Sequence, residues 1–249
     1  MSSKIYIVGM GPGTGEMMTP QADHALCGSD VIVGYSVYLK LLGGKYRKKE
    51  FLSTPMKQEV RRCEMCFEEA EKGKTVAMVC SGDAGVYGMA SLLYEMSEAH
   101  PGCELEVIPG ITAANSGAAA LGAPLNHDYC VISLSDLMTP WEIIEKRLAA
   151  AAVGDFCMAI YNPSSHHRAD YLKKACDILQ KNDVEPERAC GYVENIGREN
   201  TACEVCTLAE LRERQVNMFT TVFIGNSRTK IIGGKLVTPR GYVLPDPAV

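Results

Sequence analysis

The stretch TVAMVCSGDAGVYGMA, residues 75–90, decides the fold. Thr75–Cys80 is β-branched and apolar without a break, the pattern of a strand buried on both faces. Glycines 82, 85 and 88 follow within eight residues, and a helical pattern then runs through Val86–Glu98. A buried strand, a glycine loop and a helix make one βα step of a parallel sheet. The same grammar recurs on both sides. Upstream, strand Ile5–Val8 runs into Gly9-Met10-Gly11-Pro12-Gly13-Thr14-Gly15, and Thr19–Cys27 reads as a helix with Thr19 at the N-cap and Pro20 at N1. Val31–Val33 is a second strand, Phe51 lies in a third, and Lys57–Lys72 is a charged amphipathic helix ended by Gly73. Downstream, strand Glu106–Ile108 enters Pro109-Gly110 and a small-residue helix, Thr112–Leu121.

Residues 1–124 are therefore expected to form an α/β domain around a parallel sheet. Past Gly122-Ala123-Pro124 the texture changes. Strands are expected at Cys130–Leu134, Phe156–Tyr161, Ala189–Val193, Ala202–Cys206 and Thr220–Ile224, and helices at Trp141–Ala152 and Arg168–Lys181. The last three strands have little helix between them. That predicts a mixed-sheet α+β domain over 125–240, with 241–249 as a tail.

Composition bounds the function. The chain has 249 residues, 47% of them hydrophobic and 22% charged, with a net charge of −5. Such a chain can bury a sizeable core and is not intrinsically disordered. No apolar run approaches the roughly 18–20 residues needed to span a bilayer. The opening residues run straight into the first strand without a signal core, so a soluble cytoplasmic protein is expected. The mild acidity argues against nucleic-acid binding, which needs a concentrated basic face. Eleven cysteines, mostly in apolar stretches, suit a reducing compartment with thiols acting as small hydrophobes. The Cys63/Cys66 pair reads as helix interior, and Cys203/Cys206 as strand positions facing opposite sides, so no metal site is expected.

The glycine loops match none of the common nucleotide motifs. In the first, Thr14 stands where a dinucleotide fingerprint needs its third glycine, and Pro12 removes a backbone N–H. Strand two ends in Gly34-Tyr35, with no acid for a ribose. Gly73-Lys74-Thr75 lacks the leading glycine of a phosphate loop and precedes a strand. Nevertheless, three such loops at the carboxyl ends of parallel strands line one edge, where α/β proteins bind ligands. Asp83 suits a ribose or an ammonium group there, or a helix N-cap; Thr112 adds a hydroxyl.

At this combination the sequence resembles the tetrapyrrole methyltransferases. IYIVGMGPG, VCSGDAGVYGMA and EVIPGITAANSGAAALGAPLNHD carry the likeness in the first half, and MAIYNPSSHHR and GYVENIGRENT carry it in the second. LSDLMTPW (134–141), YNPSSHHR (161–168) and the Tyr-Gly-Met-Ala ending of the second loop resemble the branch that methylates C17 of precorrin-3B or cobalt-factor III. That branch also contracts the macrocycle. The resemblance implies the two-domain architecture of class III methyltransferases, S-adenosylmethionine as methyl donor in a cleft between the domains, and a homodimer. Carried over by position, the cofactor contacts fall on Pro12, Ser81, Gly82, Asp83, Val86, Thr112, Ala113, Tyr161, Asn195 and Ile196. One departure is plain. Sirohaem-type relatives carry an Asp after strand two and a Lys after strand three as base and acid, and Tyr35 and about Thr54 stand there instead.

Methyl transfer from a sulfonium to an electron-rich carbon chiefly needs alignment in a dry site. Ring contraction also needs a proton removed, and Tyr87, His127 and Asp128 are the catalytic candidates, with His166 and His167 as further acid–base groups. A polycarboxylate substrate calls for cations, of which Arg47, His166, Arg168 and Arg198 are favoured. The rival readings are a sister enzyme acting on C11, C20 or C2/C7, and a sensor that binds S-adenosylmethionine without turnover.

Overall fold

The computed structural model describes residues 3–165 and 168–243. Its chain divides into two units, Met1–Ala113 and Ala114–Val249. The join thus falls ahead of residue 124, where the composition changes, at the first turn of a helix.

The first unit alternates strand and helix. Its elements are β1 (Ser3–Gly9), α1 (Pro20–Gly28), β2 (Val31–Tyr35), α2 (Ser36–Leu39), β3 (Glu50–Thr54), α3 (Glu59–Ala70), β4 (Val76–Cys80), α4 (Ala90–Ser97) and β5 (Cys103–Ile108). The five strands form one sheet in the order β3-β2-β4-β1-β5, parallel throughout. Strand alternation sends Ile5, Ile7, Val76 and Met78 to one face, against Cys63, Cys66 and Phe67 of α3 and Leu93 of α4. Val8, Ala77 and Val79 turn to the other face, against Ala22 and Leu26 of α1. Every residue of β4 is buried, which explains why its sequence shows no polar alternation. α1 begins as its sequence predicts, with Thr19 Oγ1 accepting from Ala22 N–H at 3.1 Å. α4 starts at Ala90 rather than Val86. Tyr87 holds a left-handed φ of 53°, and a side chain at Gly88 would meet the Ala84 carbonyl at 2.2 Å. That tight loop excludes a helical turn.

The second unit opens with α5 (Ala113–Leu121) and β6 (Gly122–Ala123), then β7 (Tyr129–Ser133), α6 (Trp141–Val153), β8 (Cys157–Tyr161), α7 (Tyr171–Lys181), β9 (Ala189–Glu194), β10 (Ala202–Thr207), α8 (Leu208–Arg212), β11 (Thr220–Ile224), β12 (Lys230–Ile232) and β13 (Lys235–Val237). Its main sheet has the order β10-β9-β11-β8-β7. β7 and β8 are parallel, while β11 is antiparallel to both β8 and β9, and β10 is antiparallel to β9. This is the mixed sheet expected from the sequence. One face packs Ile132, Ile160 and Val222 against Ile144, Leu148, Leu172 and Leu179 of α6 and α7. Each fully buried side chain of this size contributes about 1.5–3 kcal/mol. On the other face Gly117 of α5 lies so close to Phe223 that a Cβ would meet its ring at 2.7 Å. β12, β13 and β6 make a small third sheet.

α8 was not expected, although Thr207-x-x-Glu210 is a capping box legible in the sequence, and both of its hydrogen bonds form. Cys63 and Cys66 lie on the buried face of α3. Cys203 is exposed and Cys206 buried, on opposite faces of β10. Among the described residues, no helix is long and apolar enough to cross a membrane.

Candidate cofactor and substrate site

The carboxyl ends of β1, β4 and β5 carry the three glycine loops, and hydrogen bonds tie these loops into one floor. Gly11 N–H donates to the Gly82 carbonyl at 3.0 Å and Gly82 N–H to the Gly11 carbonyl at 2.8 Å. Both glycines have positive φ, 79° and 69°, a conformation that side chains resist. Asp83 joins the third loop. Its Oδ1 accepts from Gly85 N–H at 2.8 Å and its Oδ2 from Gly110 N–H at 2.9 Å. The helix-cap reading of Asp83 is therefore corrected: the N-cap of α4 is Met89, and Asp83 bridges two loops.

The glycines fall into two groups. A Cβ at Gly9 would meet Gly110 N at 2.7 Å, and one at Gly110 would meet the Gly82 carbonyl at 2.1 Å. These residues are glycine because loop backbone packs against loop backbone, not because a ligand needs the room. A Cβ at Gly15 would meet nothing within 4 Å, and one at Gly85 only the Asp83 carboxylate at 3.3 Å. Of the two, only Gly15 faces open space; at Gly85 the carboxylate stands close.

Pro12, Ser81, Gly82, Asp83, Thr112 and Ala113 are brought together on this floor: the Cβ position of Gly82 lies 3.7 Å from Thr112 Cα and from Ala113 N. Pro12 and Gly82 are buried, and the other four are half-buried. Val86, half-buried, and Tyr87, 58% exposed, project from the same β4 loop.

In the second unit, Tyr161 ends β8, and its hydroxyl accepts from Ala114 N–H of α5 at 2.7 Å. Ile196 follows β9 and packs on Gly117, one turn further along α5. Asn195 closes a turn, with its N–H donating to the Phe219 carbonyl at 3.1 Å and its carbonyl accepting from Thr201 Oγ1 at 2.8 Å. Both residues thus stand at the end of the sheet that carries Tyr161. Asn162 joins β8 to β7 there, donating through Nδ2 to Ser133 Oγ at 2.9 Å. The parallel β7–β8 pairing brings Ser133, Leu134 and Asp136 beside Tyr161, Asn162 and Arg168.

The cationic candidates fare differently. Arg168 pairs through Nε with Asp136, and Tyr171 donates its hydroxyl to the same carboxylate at 2.6 Å. Tyr171 and Arg168 hold the Asp136 carboxyl below the usual range of an aspartate. Arg168 thus spends its Nε on Asp136, and its Nη1 lies 3.5 Å from Ser165 Oγ. Arg198 has no such partner among the described residues. Its guanidinium lies over the Phe219 ring at 5.1 Å, and its buried Nε has no hydrogen-bond partner.

Arg47 lies elsewhere. Lys49, two residues on, donates to the carbonyls of Cys27 at 2.5 Å and Ser29 at 2.7 Å, at the carboxyl end of α1. Arg47 is exposed three residues before β3 begins, toward the edge of the sheet opposite the glycine loops. The basic run Lys45–Lys49 largely serves the fold, since Lys45 also pairs with Asp23 at 2.5 Å. His166 and His167 lie outside the described residues.

His127 and Asp128 precede β7, while Tyr161 closes β8 and Asn195 follows β9. They therefore stand at opposite ends of the main sheet, about 17 Å apart along the strand direction, since Tyr161 is level with Ser133. The Asp128 N–H donates to His127 Nδ1 at 2.9 Å, and the side chain of Asp128 is 86% exposed. The pair lines a separate recess of about 220 Å³ with Asp155, Phe156, Asn226 and Arg228. Within this unit His127 and Asp128 therefore do not share a sheet end with Tyr161. Sequence order hid this, because a strand separates its own two ends.

The family model of the tetrapyrrole (corrin/porphyrin) methylases matches residues 4–212. A cobalt-factor III methyltransferase from Priestia megaterium is 44% identical over 97% of the chain, which spans only 46% of that longer protein. A probable cobalt-factor III C(17)-methyltransferase from Salmonella typhimurium is 41% identical over 96% of the chain and 100% of its own length. Among solved structures, the methyltransferase CobJ superposes with a TM-score of 0.88 at 38% identity, covering 96% of this chain and 100% of its own.

Proposed function

The chain belongs to the tetrapyrrole methylase family, and on that premise we propose that it transfers a methyl group from S-adenosylmethionine to C17 of cobalt-factor III, a ring-contracting step of cobalamin biosynthesis. The observation that carries this reading is the three-loop floor at the carboxyl edge of the parallel sheet. Pro12, Ser81, Gly82, Asp83, Thr112 and Ala113 converge on it.

This floor suits such a donor. Its base is closely packed, because a Cβ at Gly9 or Gly110 would meet neighbouring backbone within 3 Å, while Gly15 leaves open space at its rim. When bound, the sulfonium supplies an activated methyl group. The protein's part is to hold and align, which needs few titrating side chains. Asp83 keeps the β4 and β5 loops in register, and the Tyr161 hydroxyl fixes the first turn of α5. Ring contraction also requires a proton to leave a hydroxyl of the macrocycle. Tyr87 is the acid–base candidate that stands on the cofactor loop itself, held outward by its left-handed backbone. A homodimer completes the proposal, and a monomer mass by light scattering would remove that element.

The test is incubation with methyl-labelled S-adenosylmethionine and each macrocycle, metal-free and cobalt-loaded, read by mass spectrometry. A label at C17 of the cobalt-loaded, contracted product is expected. A label at C11, C20 or C2/C7 would make the chain a sister enzyme, and binding without turnover would make it a sensor.

A further inference from the structure

Two charged side chains are buried among the described residues, Arg62 and Glu69, and their situations differ. Glu69 is neutralised by Lys72 and Lys74, each at 2.6 Å. Arg62, only 4% exposed, has no carboxylate within ion-pair distance among the described residues. One hydrogen bond is recorded for its side chain, Nη2 donating to the Pro55 carbonyl at 3.0 Å. Its buried Nε has no acceptor. An unpaired buried charge is strongly destabilising unless an opposite charge arrives.

The surroundings point the same way. Arg62 lies in the opening turns of α3, where the helix dipole is already positive and a cation is disfavoured. Its guanidinium lies 5.9 Å from the centre of the Tyr35 ring. Tyr35 pairs with Thr54 at the carboxyl ends of β2 and β3. Thr54 is 5% exposed, and its hydroxyl is a second buried polar atom without a partner. The Arg62 cation, with its orphaned Nε, and the orphaned Thr54 hydroxyl therefore sit on neighbouring segments at the sheet edge that also carries the glycine loops, since Arg62 bonds the carbonyl of Pro55, the residue after Thr54.

We infer that Arg62 and Thr54 form an anion subsite that receives a carboxylate arm of the tetrapyrrole substrate. The inference rests on the methyltransferase reading for the identity of its ligand. A carboxylate entering here would accept from Nε–H of Arg62 and from the Thr54 hydroxyl, satisfying both orphans and neutralising the charge.

The test reads binding apart from turnover. Full-length wild type, Arg62→Met, Arg62→Lys and Thr54→Val are titrated with uroporphyrin III, an octacarboxylate macrocycle, by the shift of its main absorption band. S-adenosylmethionine affinity and melting temperature are measured in parallel. Arg62→Met should weaken uroporphyrin binding by about tenfold or more, and Thr54→Val by about threefold, with donor affinity unchanged. Arg62→Lys should retain part of the affinity. With cobalt-factor III, the KM of Arg62→Met should rise more than its kcat falls. Its melting temperature should hold or rise, because an uncompensated charge has been removed. Wild-type affinity in folded Arg62→Met, or in Thr54→Val together with Arg62→Lys should Arg62→Met not fold, would overturn the subsite. So would a melting loss with unaltered binding, which marks a structural cation, or a wild type that binds no uroporphyrin. Failure of the methyltransferase reading shows separately, as absent methyl transfer by a wild type that still binds the macrocycle through Arg62.

Discussion

Asp83 spends both carboxylate oxygens on backbone N–H groups of two different loops. Removing it leaves two donors unsatisfied, at about 1–3 kcal/mol each where they are shielded from water. Asp83→Ala should therefore lower the melting temperature and weaken S-adenosylmethionine binding together in calorimetry. Lost affinity at unchanged stability would make Asp83 a direct ligand instead. Tyr87→Phe keeps the ring and removes the phenol. If that phenol handles the proton of ring contraction, kcat should fall about 100-fold or more while donor binding holds; an unchanged kcat sends the role elsewhere. At this scale the sequence was most informative where backbone geometry restricts residue choice. The glycine spacing marked the three interlocked loops because few residues other than glycine tolerate the positive φ of Gly11 and Gly82. Arg62 was not legible. It sits beside Arg61 in a charged helix, and Arg61 turns outward to Glu64 and Glu68. Nothing in a single sequence says which of two adjacent arginines faces the core.

Among the elements, the loop after β5 is the least tolerant of change. A methyl group at Gly110 would meet two carbonyl oxygens, of Gly82 at 2.1 Å and Gly9 at 2.5 Å. Gly110→Ala should cost about 3 kcal/mol or more, read as a lower denaturation midpoint. α8 depends on its capping box, in which Thr207 Oγ1 accepts from Glu210 N–H and Glu210 accepts from Thr207 N–H. Thr207→Ala should cost about 1 kcal/mol. The Thr207 backbone N–H and hydroxyl hold the Glu210 carboxyl below its ordinary range. A depressed pKa means that this stabilisation is complete above about pH 4.3 and fades as pH falls through the folded value. Strand order also places His127 and Asp128: β7 and β8 are parallel, so residues before β7 cannot meet Tyr161 at the end of β8.

For the whole molecule, ionisable groups bound the pH range of stability from both sides. Asp23, Glu68, Glu69, Asp136, Asp170, Glu185, Glu210 and Glu213 are all held below their ordinary values by cationic or hydrogen-bonding partners. Their stabilisation is present near neutrality and lost progressively below about pH 4. Burial acts in the opposite direction on the thiols, raising Cys63, Cys176 and Cys206 to about 12 and Cys80 and Cys130 to about 11. Raised values mean stability is complete below the unfolded thiol pKa, about 8.5, and lost as pH climbs toward those figures. A melting series against pH should thus show a plateau between about 5 and 8, falling on both sides. Of the eleven cysteines, Cys27 and Cys203 are exposed, Cys103 and Cys130 half-buried and seven buried, so a thiol reagent should modify two rapidly in the native protein, two more slowly and seven only on unfolding. The sequence by itself determined the two sheet types, every strand of the two five-stranded sheets and most of the helices, and the loops that carry the cofactor candidates. Those features follow from local periodicity and from positions where only glycine fits. Tertiary structure alone decided which charges are spent and which are left over. Arg168 is taken by Asp136, and Lys45 and Lys49 serve α1, while Arg62 and Arg198 keep an unpaired Nε. Pairing depends on which distant segments the sheets bring side by side, and a linear pattern does not record that.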